Sequence, residues 1–532
     1  MNDQYCLSLI LHAHVPFVRE PDYPHFFEER WLFDALLETY IPLVTIFERL
    51  DAERIPFHLG LVISPTLSHM LQDPLLLERF LEYLDQRIVF GLSEVDRTKY
   101  DSNLNRLARM YYDRVVEAKA LFSGRYEHNI LKALDFYQKK GKIELLTTAA
   151  THAFLPFYTS YPESIQAQIE VAISSHRALF GRLPHGFWLP EAGWHPALDE
   201  YLRSYNFSYT IVDTHSLLLG TPTPQKGTFA PVRSPNGLIV FARDLYASRA
   251  IWDPDCGYPA DPVYRDFYKD IGYELEQSLI EPFLEPNGER TPTGYKYWAI
   301  TQRGQQSKDL YNPDLASERI QYHVQSFLKD RIQRLQEAEQ ITGEKGISVC
   351  AYNADLFGHR WFEGPQFLEV LFREAAKMEN LSFVNPGTYA HKINYEELQK
   401  VMPEFSSWGM NGYAETWLDA SNDWMYPHLM RAIERMIELA ERFPNDGGLK
   451  ERTLNQAARE VLLAQSADWA AIQHGGLSSA YARSIVEECI QNFTTIYDSL
   501  GSNYISTEWL TQLERKHNIF PDINYRVFRK KR

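Results

Sequence analysis

Little in this chain suits a membrane, a nucleic acid or an oxidising compartment. No uninterrupted apolar run approaches the ~20 residues that span a bilayer, and Met1-Asn2-Asp3-Gln4-Tyr5 has none of the positive charge of a secretory leader. The four cysteines, Cys6, Cys256, Cys350 and Cys489, are scattered and form no CxxC pair. That excludes a disulfide framework and a cysteine-based zinc site, and it predicts reduced thiols in a cytoplasmic protein. Basic residues cluster only at Arg529-Lys530-Lys531-Arg532, and 54 Lys and Arg against 70 Asp and Glu leave a net charge of −16. A nucleic-acid footprint is therefore missing. Repeats and low-complexity tracts are absent, and nothing in the sequence fixes an oligomeric state.

What is plentiful is apolar and aromatic. The 532 residues are 45% hydrophobic, enough for roughly two to four domains by the usual scaling with length. Short β-type runs at 5–11, 57–63, 143–148, around Trp188, at 209–213, 240–243 and 347–352 alternate with helical periodicity from Leu67, over 103–140 and over 313–340. Strand–helix alternation predicts an α/β fold of parallel β/α units. Between 222 and 308 the rhythm loosens into Pro- and Gly-containing loops with Trp252, Tyr258, Tyr264, Tyr268, Tyr295 and Trp298, which reads as an insertion walling a cleft. Helical periodicity over 427–443, 449–474, 478–500 and 507–517 predicts an α-helical C-terminal domain over 411–532, with a catalytic domain over 1–410.

In such folds chemistry gathers at the carboxyl ends of the strands. The polar residues fall there: His12 and His14 after the first strand, Glu144 and His152 around the third, Glu191 after the fourth, Asp213 and His215 after the fifth, Asp355 and His359 after the seventh. Trp188-Leu189-Pro190-Glu191-Ala192-Gly193-Trp194 is the most pointed of these, a buried run stopping at one carboxylate between two indoles. A carboxylate pair drawn from Glu191, Asp355 and Glu144 suits glycoside chemistry, in which one group attacks or stabilises the anomeric carbon and the other protonates the leaving oxygen. His12-x-His14 places two imidazoles on one strand face. With no HExxH pair, they are read as hydrogen-bonding groups of a sugar subsite, and neither metal nor cofactor is expected. Trp408, Trp417 and Asp468 would join the site if the helical domain folds back over the mouth.

Leu11-His12-Ala13-His14-Val15-Pro16, the stretch from Leu145 to His152, Trp188-Leu189-Pro190-Glu191, Tyr258-Pro259 with Tyr264-Arg265, Leu356-Phe357-Gly358-His359, Ser406-Ser407-Trp408-Gly409 and the stretch from Ala464 to Trp469 occur in the order seen in family 57 of the glycoside hydrolases. The chain resembles that family's α-1,4-glucan branching group over nearly its full length. The resemblance implies a distorted (β/α)7 barrel with helical and loop insertions, a helical C-terminal domain completing the cleft, and a retaining, metal-free transfer of α-1,4-glucan segments into α-1,6 branches on a glucan partner. It implies Glu191 as nucleophile and His12, His14, Arg265, Trp408, Trp417 and Asp468 as substrate-binding positions, to which the strand-end reading adds His152, Asp213 and His359 and the aromatic insertion adds Trp252. Asn353 stands where the family carries its proton donor, so that role is expected of Asp355, two residues on and on the same face if the strand continues.

Overall fold

The β-strand Tyr5–Ala13 (β1) is buried at all nine positions, as its run of apolar residues requires of a parallel strand covered on both faces. It pairs in parallel with β2 (Leu59–Ile63), which pairs with β3 (Ile143–Leu146). A second sheet holds β4 (Gly186–Trp188), β5 (Tyr209–Val212) and β7 (Ile239–Ala242) in parallel, with β6 (Val232–Arg233) antiparallel at its edge. The strand β8 (Ile347–Asn353) lies on the other side of β1. Parallel bridges from Thr147 to Phe187 and from Arg243 to Val349 join the sheets, so β1, β2, β3, β4, β5, β7 and β8 close into a ring of seven parallel strands. The strand β9 (Leu381–Phe383) pairs in parallel with the first residues of β1, off the path of the ring. The computed structural model describes residues 4–285, 287–302, 307–502 and 504–531.

Each of the seven expected strands is present. The helices differ in where they break. The region after β2 is divided into Pro65–Met70, Pro74–Arg97, Ser102–Ala120 and Ile130–Lys139, because Asp73, Asp101 and Asn129 each turn a side-chain oxygen onto the amides of a new first turn. The aromatic insertion is less a cleft wall than a packed layer on the helices Pro74–Arg97 and Ser102–Ala120. Tyr111 donates to Lys296 O at 2.7 Å, Tyr295 to Arg87 O at 3.0 Å and Tyr297 to Glu94 Oε2 at 2.9 Å. Of its aromatics, Tyr264 and Tyr295 are core, and Trp252 is the one that reaches the site described below.

The C-terminal helices are Met425–Arg442, Gly448–Ala464, Ala467–Gly475, Ser479–Ser502 and Thr507–Lys516. The single helix expected over 449–474 is interrupted at Gln465 and Ser466. There the chain docks on the barrel: Ser466 bridges Ala153, Ala467 N donates to His152 O at 3.1 Å, and Gln465 Nε2 donates to Ser164 Oγ at 2.6 Å. Breaking the helix at this point aims the next residue pair at the barrel mouth. Among the described residues no helix is long and apolar enough to cross a membrane. Among the described residues the four cysteines form no disulfide, and Cys256 is exposed while the others are buried.

Two histidines of this framework make stability depend on pH. Burial lowers the pKa of His176 and of His323 to about 4. Their folded values lie below the unfolded value near 6.5, so the unfolded chain takes up protons first as pH falls. Their contribution is complete above pH ~6.5 and is lost as pH drops toward 4, with His176 alone accounting for roughly 3 kcal/mol. Calorimetric Tm is expected to fall steadily from pH 7 to 4.5. A flat Tm over that interval would contradict the assignment.

Candidate active site

Glu191 sits immediately beyond β4 in the turn Pro190–Ala192, with φ 57° and ψ 24°. Ala192 (φ 50°) and His152 (φ 57°) share this left-handed backbone, which costs a non-glycine residue of order 1 kcal/mol and persists only where neighbours impose it. The neighbours are identifiable. Trp194 N donates to Ser406 O at 2.8 Å, Ser406 N returns a bond to Trp194 O at 3.1 Å, and Trp408 N donates to Glu191 O at 2.9 Å. Segment 406–408 thus lies as a short ladder along the turn. Gly193 is needed because a Cβ there would overlap the Phe154 ring, itself stacked on Trp417 at 5.4 Å and 7°.

The Glu191 side chain is bound at both oxygens. His152 Nε2 lies 3.1 Å from Oε1, and the Trp408 indole N–H donates to Oε2. His152 is itself the middle of a stack of imidazoles, with centroids 4.1 Å from His14 and 4.8 Å from His12, and His12 lies 5.5 Å from Trp188. Burial and the neighbouring imidazoles His152 and His14 push His12 well below the usual histidine range, so it is neutral. Burial opposes a charge on His152, but the hydrogen bond and charge of Glu191, with Asp468 behind, outweigh it and raise its pKa. A proton on this stack is therefore favoured on His152 over His12.

His14 is fixed from both sides, by Ser64 Oγ at Nδ1 and Asp468 Oδ2 at Nε2, each at 2.8 Å. Burial would raise the Asp468 pKa, yet the His14 contact and the Ser466 hydroxyl hold it well below the carboxylate range. An ionised Asp468 only accepts, so His14 carries its proton on Nε2. His12 Nε2, His152 Nδ1 and Trp188 Nε1 are buried without a protein partner. Trp408→Phe keeps the ring and removes one donor to Glu191. It is expected to lower kcat about 10- to 100-fold with Tm nearly unchanged, and an unaltered kcat would show that the indole N–H is idle.

The opposite wall is built from β8 and the helix Leu245–Trp252. Register pairs His12 with Asn353, whose Oδ1 lies 3.1 Å from His12 Nδ1. Asn353 and Trp408 also line a cavity of 330 Å³ with Arg243, Trp252 and Asp253. Asp213 lies at the rim, paired with Arg243 and capping Thr214 N at 2.6 Å, and the Arg243 guanidinium lies 5.5 Å over Trp408. Asp213 therefore supports the indole that holds Glu191. Burial works against its charge, but His215 and Arg243 hold its pKa below the normal range.

The structure does not bring every expected residue to this cluster. β8 ends at Asn353, and Ala354–Leu356 forms a 3-10 turn, so Asp355 does not share the strand face of Asn353. Its carboxyl is one-third exposed and faces Arg360 Nε at 3.8 Å. His359 Nδ1 lies 2.6 Å from Glu38 Oε2, and Arg265 is buried beside it, with its amide on Glu363 and its guanidinium 4.4 Å over Phe362. These residues form a second group centred on Glu38, a residue without any strand-end signal in the sequence. Trp417 is buried behind Gly193 and Gly409 and braces the turn rather than offering a free ring face. Glu144 is a framework carboxylate bound by the Tyr209 hydroxyl at 2.7 Å and Gly387 N at 2.8 Å. Arg243 escaped sequence reasoning as a site residue, since it is not distinctive in type, and Ser406 was legible only as part of a motif. Among the described residues, metal-ligating side chains converge in threes only at Glu460, Cys489 and His517, inside the C-terminal helices.

A seven-stranded parallel ring with a hydrogen-bonded glutamate at a strand end, indoles around it and a helical lid supplying an aspartate defines a carbohydrate-active barrel of the glycoside hydrolase type. The chain belongs to glycosyl hydrolase family 57, whose sequence profile matches residues 8–273, and the C-terminal profile of 1,4-α-glucan branching enzymes matches 428–528. It is 29% identical to a 1,4-α-glucan branching enzyme of Thermococcus kodakarensis, over 97% of this chain and 77% of that one. Two solved structures superpose closely. An α-amylase of Thermotoga maritima has 37% identity and a TM-score of 0.93, covering 99% of this chain and 100% of its own. A family 57 branching enzyme of Pyrococcus horikoshii has 28% identity and a TM-score of 0.88, covering 100% and 98%.

Proposed function

We propose that the protein is a retaining α-1,4-glucan branching enzyme whose nucleophile is Glu191. The observation that carries this reading is the Glu191 carboxylate, set at a strand end in a strained turn, held by His152 and Trp408, with His12 and His14 stacked on His152. Glu191 attacks the anomeric carbon of an α-1,4-linked glucose unit while Asp355 gives a proton to the departing glycosidic oxygen. The covalent glucosyl ester is then opened by the 6-hydroxyl of a second glucan chain, whose proton returns to Asp355, and two inversions leave an α-1,6 branch. His12, His14, His152 and Asp468 bind hydroxyls of the reacting unit, and Trp188, Trp252 and Trp408 exclude water from the ester. His359 and Arg265 bind the donor chain further out, beside Glu38. Asp213 and Trp417 act by positioning.

The names of relatives that align over nearly the whole chain support branching, and the α-amylase with 37% identity makes hydrolysis the competing outcome of the same assay. Purified protein incubated with amylose is expected to form α-1,6 linkages that a debranching enzyme converts to short linear chains, with little rise in reducing ends. Accumulating reducing ends without new branches would replace transfer by hydrolysis.

A further inference from the structure

Asp355 stands on a turn that its own side chain does little to fix. Its ion-pair partner Arg360 lies 3.8 Å away and is more than half exposed, and a surface pair of that kind orders a side chain weakly. Three and four residues further on, the chain is held firmly. Gly358 has φ 124°, a conformation open to glycine, and a Cβ there would overlap Glu38 O. His359 Nδ1 lies 2.6 Å from Glu38 Oε2. Backbone and side chain of one residue therefore meet two consecutive residues of the segment that carries Asp355. That segment is also closed on itself: Arg360 N donates to Asp355 O at 3.2 Å, Trp361 N to Leu356 O at 2.9 Å and Gly358 N to Trp361 O at 2.8 Å. A shift of His359 is thus passed to Asp355.

The other half of the contact is as specific. Glu38 is the middle residue of Leu36–Tyr40, a buried π-helical turn between the helices Arg30–Ala35 and Ile41–Ala52. Single π-turns within α-helices are rare and frequent at functional sites. Burial opposes a charge on Glu38, but His359, with Lys296 and Arg265 behind it, holds its pKa well below the carboxylate range, and its Oε1 faces Arg87 at 4.0 Å. An ionised Glu38 only accepts, so His359 keeps a proton on Nδ1 and its ring is fixed. The Phe267 ring, 5.4 Å from that of His359 and edge-on, closes the far side.

We propose that Glu38 is the positioning residue of the general acid: through Gly358 and His359 it fixes the pivot from which the Asp355 carboxyl reaches the glycosidic oxygen. The inference rests on the function proposed above, with Asp355 as proton donor, whereas the contacts of Glu38 do not.

The test compares kcat on amylose with kcat on α-maltosyl fluoride, whose leaving group needs no proton, for the full chain and for its Glu38→Ala and Asp355→Asn variants. Glu38→Ala is expected to lower kcat on amylose about 100-fold, the scale of a ~1 Å displacement at the reacting centre, and on the fluoride less than about threefold. Asp355→Asn should show the same kind of split. If Glu38→Ala does not fold, His359→Leu, on a side chain one-quarter exposed, breaks the contact from the other end and should give that split in kcat. Equal losses on both substrates would make Glu38 a structural residue, and unchanged kcat an idle one; either would overturn the proposal. If Asp355→Asn itself costs the same on both substrates, Asp355 is not the donor and the positioning role falls with it. Branch formation from amylose by the parent protein would still uphold the α-glucan function.

Discussion

Glu191→Gln is expected to lower transfer from amylose by about 10⁴-fold or more, the scale of losing a covalent nucleophile, while Tm stays within about 1 °C. Glutamine keeps the shape, and the left-handed backbone at φ 57° is no harder for it than for glutamate, so the loss is chemical. A sharper version uses Glu191→Ala with an α-maltosyl fluoride donor and azide. The small anion enters the space of the missing carboxylate and attacks once, so turnover returns and the product is the β-glycosyl azide, inverted relative to the donor. In the parent protein, a slow fluorinated donor should leave the peptide containing Glu191 glycosylated. Turnover with an unmodified Glu191 would mean the nucleophile lies elsewhere.

Asp355→Asn is expected to cost about 10²- to 10⁴-fold in kcat on amylose, the usual contribution of a general acid. It should cost far less on α-maltosyl fluoride, whose leaving group needs no proton. The structure gives this test its edge, because two positions compete. Asn353 touches the imidazole stack through His12 but cannot supply a proton, whereas Asp355 can, yet it stands on the following turn near Arg360. Its one-third exposure leaves room for the carboxyl to swing toward a bound glycosidic oxygen, a movement that substrate binding would have to favour. Asn353→Asp is expected to leave Asp355→Asn unrescued. If Asn353→Asp alone raises activity strongly, or restores the Asp355→Asn variant, the donor position is 353 and the natural protein is a glucan binder with impaired chemistry.

Much of this was legible in the residues. Apolar runs gave the seven parallel strands, because a strand covered on both faces must be apolar throughout, and the run ending at Trp188-Leu189-Pro190 marked Glu191 because a lone carboxylate has no place inside such a strand. The helical C-terminal region was equally plain from its period. A local pattern misleads where its physical cause stops. Asp355 was placed on the face of Asn353 on the premise of a continuing strand, and the 3-10 turn Ala354–Leu356 removes that premise. Trp417, expected in the binding set, is instead buried by its stack on Phe154.

Periodicity records that a face is covered, not by what. The bond from His14 to Asp468 spans 454 positions in sequence, that from Trp408 to Glu191 spans 217, and that from His12 to Asn353 spans 341. Each exists only because the strand ring closes and the helical region breaks at Ser466 to dock against it. Residue order was therefore enough for the strands, the helices and the strand-end glutamate proposed as nucleophile. Tertiary structure alone decided which imidazole touches which carboxylate, since those partners are chosen by closure and docking, processes that leave no local trace in residue order.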